Sequence, residues 1–200
     1  MAIDKIQAES INLADTFAFT GTVSGAGSFN LVTTNTISSA VNNVEFSGID
    51  DTYKIYCLLF NNMQLDGDGG VGMLLGDSSS MRTANYRGTG FESIANTTAV
   101  NGFSSTSSSR MTLSSQHYGF GGDTLESAHG VIWIYNLRGT SGHKTVIAQT
   151  AFVEGGNFQA NSYYVGRLYE TTAFSKIQIG NIGGSANVDT GTFSLYGVSQ

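Results

Sequence analysis

Apolar residues along the chain come in short runs, at 44–46, 53–60, 72–75, 111–113, 131–137, 145–152, 162–168, 176–179 and 192–198, each bounded by Gly, Asn, Asp or Ser. Runs of this length are too short for stable helices and are punctuated by turn formers, so each is read as a β-strand. Their spacing predicts a sandwich. Two runs, 53–60 and 131–135, are apolar at successive positions rather than alternate ones. A strand of that kind needs both faces covered, either by a second sheet and a neighbouring subunit or by full enclosure within the chain.

The remaining chain is weaker in signal. Residues 1–15 carry Ile3, Ile6, Ile11 and Leu13 without clean periodicity and are read as an arm; Phe17 and Phe19 alternate with polar positions as a strand before the glycines of 21–27. The polar stretch 33–43, anchored only by Ile37 and Val41, reads as a linker or exposed edge, which sets a boundary near residue 43. The expected organisation is an N-terminal attachment segment over 1–43 with one strand, then a jelly-roll-like antiparallel β-sandwich over 44–200. Between Gly76 and Ser109 there are only faint strand signals, at 83–86 and 91–94, and the interval ends in a serine-rich run. It is read, with 119–128, as surface loop available for contacts.

Composition supports the all-β class. Gly numbers 26 of 200 residues, Pro is absent, and charged residues make up 12%, so the chain is rich in turn and strand formers and poor in helix formers. Hydrophobic residues at 40% suffice for a core. The net charge of −6, with no cluster of Lys or Arg, argues against a nucleic-acid partner. One cysteine, Cys57, excludes an internal disulfide and is read as a buried small hydrophobe. Met1 is followed by no apolar leader, and no stretch approaches the ~20 apolar residues that cross a bilayer. A soluble product of the cytoplasm, without membrane insertion, is expected.

Chemistry-bearing residues are scattered. His117, His129 and His143 lack a G-x-S-x-G partner motif and are read as structural. Asp123, Glu126 and Glu154 are the carboxylates a glycosidase would draw on, but no spacing selects a pair. Asp66 and Asp68, with Asp77 further on, resemble a calcium loop that lacks its third oxygen and its bidentate Glu; a tight hairpin turn is the preferred reading. No catalytic, cofactor or metal residue is assigned. Packing is the default for the aromatics, and Tyr86, Tyr118 and Phe120 are carried as candidate surface contacts because they fall in the polar or Gly-rich intervals.

Three segments carry a resemblance. Asp15-Thr16-Phe17-Ala18-Phe19-Thr20-Gly21-Thr22-Val23-Ser24-Gly25-Ala26-Gly27 resembles a short element of tail-fibre and other virion proteins of tailed bacteriophages. Val44-Glu45-Phe46-Ser47-Gly48-Ile49-Asp50-Asp51-Thr52-Tyr53-Lys54-Ile55-Tyr56 is similar to the opening of β-rich phage structural modules, in the pattern V-x-F-(S/T)-x-I-D-x-T-Y. Asp189-Thr190-Gly191-Thr192-Phe193-Ser194-Leu195-Tyr196-Gly197-Val198 is similar to their closing strand. The resemblance implies a trimeric jelly-roll-like virion protein, without cofactor or catalytic set, that contacts other virion proteins and host surface glycan. A tail-fibre or receptor-binding module is the first expectation. No fibre shaft is visible in the 200 residues, so a capsid decoration protein that stabilises the head is the alternative, and a small polysaccharide-degrading enzyme the third.

Overall fold

The computed structural model of the protein describes residues 28–114, 119–181 and 186–199. All twelve elements among them are strands, in two sheets with every pairing antiparallel. The larger sheet runs, in spatial order, β1 (Phe29–Ile37), β12 (Val188–Val198), β3 (Ile55–Leu65), β8 (Ala128–Tyr135), β9 (Lys144–Val153), β10 (Gln159–Leu168), β5 (Tyr86–Ile94) and β6 (Val100–Ser108). The smaller is β2 (Asn43–Phe46), β11 (Lys176–Asn181), β4 (Val71–Gly76) and β7 (Met111–Thr112). No helix of the described residues is long and apolar enough to cross a membrane.

Successive strand residues point to opposite faces, so alternation decides which side chains enter the space between the sheets. In β9 these are Val146, Ala148 and Phe152; in β3, Tyr56, Leu58 and Phe60; in β12, Phe193 and Leu195, all buried. The smaller sheet answers with Phe46, Met73, Leu75, Ile177 and Ile179. Phe60, Phe120 and Phe193 form an aromatic line through this core, with Phe152 packed on Phe120 at 4.5 Å between centroids. Lys144 enters the core too, fully buried, its Nζ donating to the Gly139 carbonyl and lying 5.6 Å from the Phe174 ring; burial pulls its pKa down from the ordinary lysine value.

All nine strong strand runs of the sequence correspond to strands. Three expectations are corrected. Of the two readings of the polar stretch before residue 43, the exposed edge holds and the linker does not: β1 is the edge strand paired with β12 and Val41 bridges Val188, so the boundary near residue 43 gives way to a sandwich that includes residues from Phe29 onward. The interval 76–109 is no long loop, because residues 86–94 form one continuous strand and the serine-rich 100–108 pairs with it as β6. Residues 66–70 are no hairpin turn, since they carry the chain from β3 in one sheet to β4 in the other. The strand expected around Phe17 and Phe19 lies outside the described residues.

Cys57 faces outward from β3, opposite Tyr196 on one side and Trp133 on the other, and these neighbours leave it buried. Burial pushes its thiol pKa from 9.0 up to about 11. A raised folded-state pKa stabilises the protein fully below pH 9.0, and that stabilisation is lost as pH climbs toward 11. Native protein at about pH 8 should therefore react with an aromatic disulfide reagent only slowly, and stoichiometrically once denaturant is added. Cys57→Ala should flatten the fall in unfolding free energy between pH 9 and 11 relative to wild type; fast labelling of the native thiol would contradict the packing described.

Candidate functional site

The inner face of the large sheet is closed by the small one, and no described element packs over its outer face. Directly opposed residues along the outer face form apolar rows. One row runs Tyr196, Cys57, Trp133, Ile147 and Val165; the next has Leu59, Val131, Gln149, Tyr163 and Phe91. At the β1 edge Phe29 packs edge-on against Trp133 and Tyr196, at 5.8 and 6.2 Å between centroids. Exposure along this face is high for residues so apolar: Phe29 51%, Leu31 60%, Leu59 41% and Phe91 45%, with Phe91 stacked on Tyr163. Scattered exposed hydrophobics are ordinary; here they stand side by side along one face.

The same face ends in a basic corner. Arg87 of β5 and Arg167 of β10 stand directly opposite each other, and both guanidinium carbons lie near the Tyr169 ring, at 4.1 and 4.3 Å from its centroid. No sequence signal distinguishes these residues. Only strand register puts them side by side, and register depends on the pairing of β5, whose start the sequence leaves ambiguous.

The expected surface aromatics do not stand there. Tyr86 is fully buried between the sheets: its hydroxyl accepts from the Leu75 amide at 2.9 Å and donates to the Arg82 carbonyl at 3.1 Å, so it ties β5 to β4, and burial raises its pKa. Phe120 is buried as well, in a segment zipped to Gly69 by two backbone hydrogen bonds and bridged to Glu154. Both are corrected to core residues: Tyr86 takes the inner face at the start of β5, and Gly119 lets the Phe120 segment press against the Gly69 backbone. Tyr118 lies outside the described residues, as does His117. The loop does present one apolar residue, Leu125, 87% exposed.

The carboxylates are engaged separately. Asp66 accepts from the Asn187 amide and side chain at 2.6 and 2.8 Å, which lowers its pKa; Asp68 accepts from the Gly122 amide at 2.9 Å. Asp77 accepts from the Ser79 hydroxyl and amide, the Ser80 amide and Arg82, which together hold it well below the usual carboxylate range. The three carboxylates named for a cation loop are thus committed to three different segments. Glu126 is buried and folds back on its own turn, accepting from the Asp123 amide at 2.8 Å. Glu154 caps the turn that follows β9, 3.4 Å from the Phe158 amide.

One hydrogen-bond chain has the order of a nucleophile, base and orienting group: Ser127 Oγ lies 3.4 Å from His129 Nε2, and His129 Nδ1 lies 2.6 Å from Asn61 Oδ1. Asn61 of β3 and His129 at the start of β8 are exposed, and Ser127 just before β8 is half-buried, so bulk water reaches and screens the chain of hydrogen bonds. His143 packs on Tyr169 at 4.6 Å between centroids. No family model, curated protein or solved structure matches the chain.

Proposed function

We propose that the chain is a structural module of a tailed-bacteriophage particle, assembled as a homotrimer through the outer face of its large sheet and serving as a tail-fibre or receptor-binding module. The observation that carries the assembly is the apolar face built on Phe29, Leu59, Val131, Trp133 and Tyr196, which no described element covers. It explains why the sequence makes β3 and β8 apolar at successive positions when the small sheet covers only one of their sides. Oligomers of one chain commonly cover such a face with a second copy.

Two further features favour the reading. Setting aside the hairpins β5–β6 and β9–β10 leaves the sheets β1-β12-β3-β8 and β2-β11-β4-β7. The chain then crosses between sheets at every step but the one from β4 to β7, an order that supports a jelly roll enlarged by two inserted hairpins. The segment that resembles the phage module also has a physical logic here: Val44, Phe46 and Ile49 point into the core, and the Tyr56 hydroxyl donates to the Asp50 carbonyl at 2.9 Å, fixing the turn into β3.

Labelled-antibody electron microscopy of source-phage particles tests the assignment. Label at the tail or fibres is the expected result. Label over the head would make the chain a decoration protein, and particles carrying it should then withstand heat better than particles lacking it. No label on any particle would overturn the virion reading. Host polysaccharide incubated with the purified protein should release no reducing ends.

A further inference from the structure

We infer that the basic corner of the large sheet is a binding site for an anionic saccharide, recognised through the carboxylate of a uronic or sialic acid by the Arg87 and Arg167 guanidinium groups. The inference rests on the adhesion reading only for the source of the ligand; the groove and its charges stand on their own.

Like charges directly opposed across antiparallel strands are destabilising. Arg87 and Arg167 are such a pair, and their distances to the shared Tyr169 ring keep the two charges within about one Debye length, roughly 10 Å at 0.1 M salt. Neither forms an ion pair with a described carboxylate, although the chain has 15 acidic residues against 9 basic ones. In a protein of net charge −6, a pair left in this way is not part of a generally basic surface. Arg82 shows the contrast: it is held by Asp77 and Glu170 at 2.7 and 2.8 Å.

The two arginines border a groove of about 470 Å³, within the size range of small-ligand sites. Its other walls include Thr89, Thr106, Thr145, Val165 and the half-buried Tyr169, and no acidic residue lines it. Guanidinium forks match carboxylate geometry and bind it through paired N–H donors. The Thr106 and Thr145 hydroxyls, as donors and acceptors, and the Thr89 hydroxyl, which donates to the Phe103 carbonyl at 3.3 Å and keeps its lone pairs, match the sugar hydroxyls around it. Tyr169 holds the guanidiniums by cation–π contact before any ligand arrives, which reduces the ordering cost of binding. The groove also lies on the two hairpins that lengthen the sheet beyond β8, where it can remain open while the β1 side of the face is covered by a partner.

The test uses the full chain and calorimetric titration with four probes: a tetrasaccharide alternating glucuronic acid and N-acetylglucosamine, a sialylated trisaccharide, a neutral tetrasaccharide of N-acetylglucosamine, and inorganic sulfate. At least one acidic sugar should bind ten times or more tighter than both the neutral sugar and sulfate, and more weakly as salt rises. Arg87→Gln and Arg167→Gln should each weaken it at least tenfold with unchanged circular dichroism, and Arg167→Lys, which keeps the charge and loses the fork, should weaken it severalfold. Equal binding of acidic and neutral sugars, sulfate binding as tight as either acidic sugar, or no binding of either acidic sugar would each overturn the assignment. A change in oligomeric state in the glutamine variants would overturn it as well, by making the pair an interface. Particle labelling is independent of all these results, so failure of the groove and failure of the virion reading are separable.

Discussion

Phe120→Ala should lower the unfolding free energy by about 3–5 kcal/mol, the range for removing a buried aromatic ring and leaving its cavity. The ring packs against Phe152 at 4.5 Å and Phe60 at 6.5 Å, and its backbone pairs with Gly69 on one side and Glu154 on the other. Those pairings hold the segment in place, so the surroundings have little freedom to collapse into the space. Denaturant titration would show a lower midpoint with nearly unchanged slope. A surface-contact role for Phe120 makes the opposite forecast, a stability change within about 0.5 kcal/mol and a loss confined to binding. Tyr86→Phe provides a smaller companion effect of about 1–3 kcal/mol, because the buried Leu75 amide would lose its acceptor.

The two misplaced aromatics show where sequence reading stops. Strands whose inward residues are apolar were legible from alternation alone, as in β9 with Val146, Ala148 and Phe152. The edge strands were not. β1 and β6 close the two ends of the large sheet, where little packs over them, so Ser, Thr and Asn occupy positions that central strands fill with Val and Ile. Their strand character comes from backbone pairing to β12 and β5, which a single sequence does not display. Tyr86 and Phe120 were misread for a related reason: local polarity described their neighbours in the chain, whereas burial is decided by neighbours in space. Arg87 lies 80 residues before Arg167 and its near neighbour Tyr169, and only the β5–β10 register assembles the three. The apolar outer face, by contrast, was foreshadowed in the successive apolar positions of 53–60 and 131–135.

That face yields the second large effect. Leu59→Asp should convert the assembly to monomers, read by light scattering coupled to size exclusion, with the far-ultraviolet spectrum unchanged. Leu59 is 41% exposed in the single chain, between Val131 on β8 and Ser194 on β12. A carboxylate there stays hydrated while the chain is alone, so the fold tolerates it; pressed against the apolar face of a second copy, it must shed that hydration without a partner, at a cost of several kcal/mol. A penalty of only ~2.7 kcal/mol raises the dissociation constant about a hundredfold. Leu125→Asp supplies the control, being 87% exposed in the 122–127 loop rather than on the sheet, and should leave the assembly intact. The alternating glucuronate tetrasaccharide separates the two surfaces further: if it is the acidic sugar that wild type binds, Leu59→Asp monomers should retain that binding, because the Arg87 and Arg167 groove is built within one chain. A wild-type protein that is already monomeric at micromolar concentration, or a Leu59→Asp variant that still assembles, would remove the outer face as the interface.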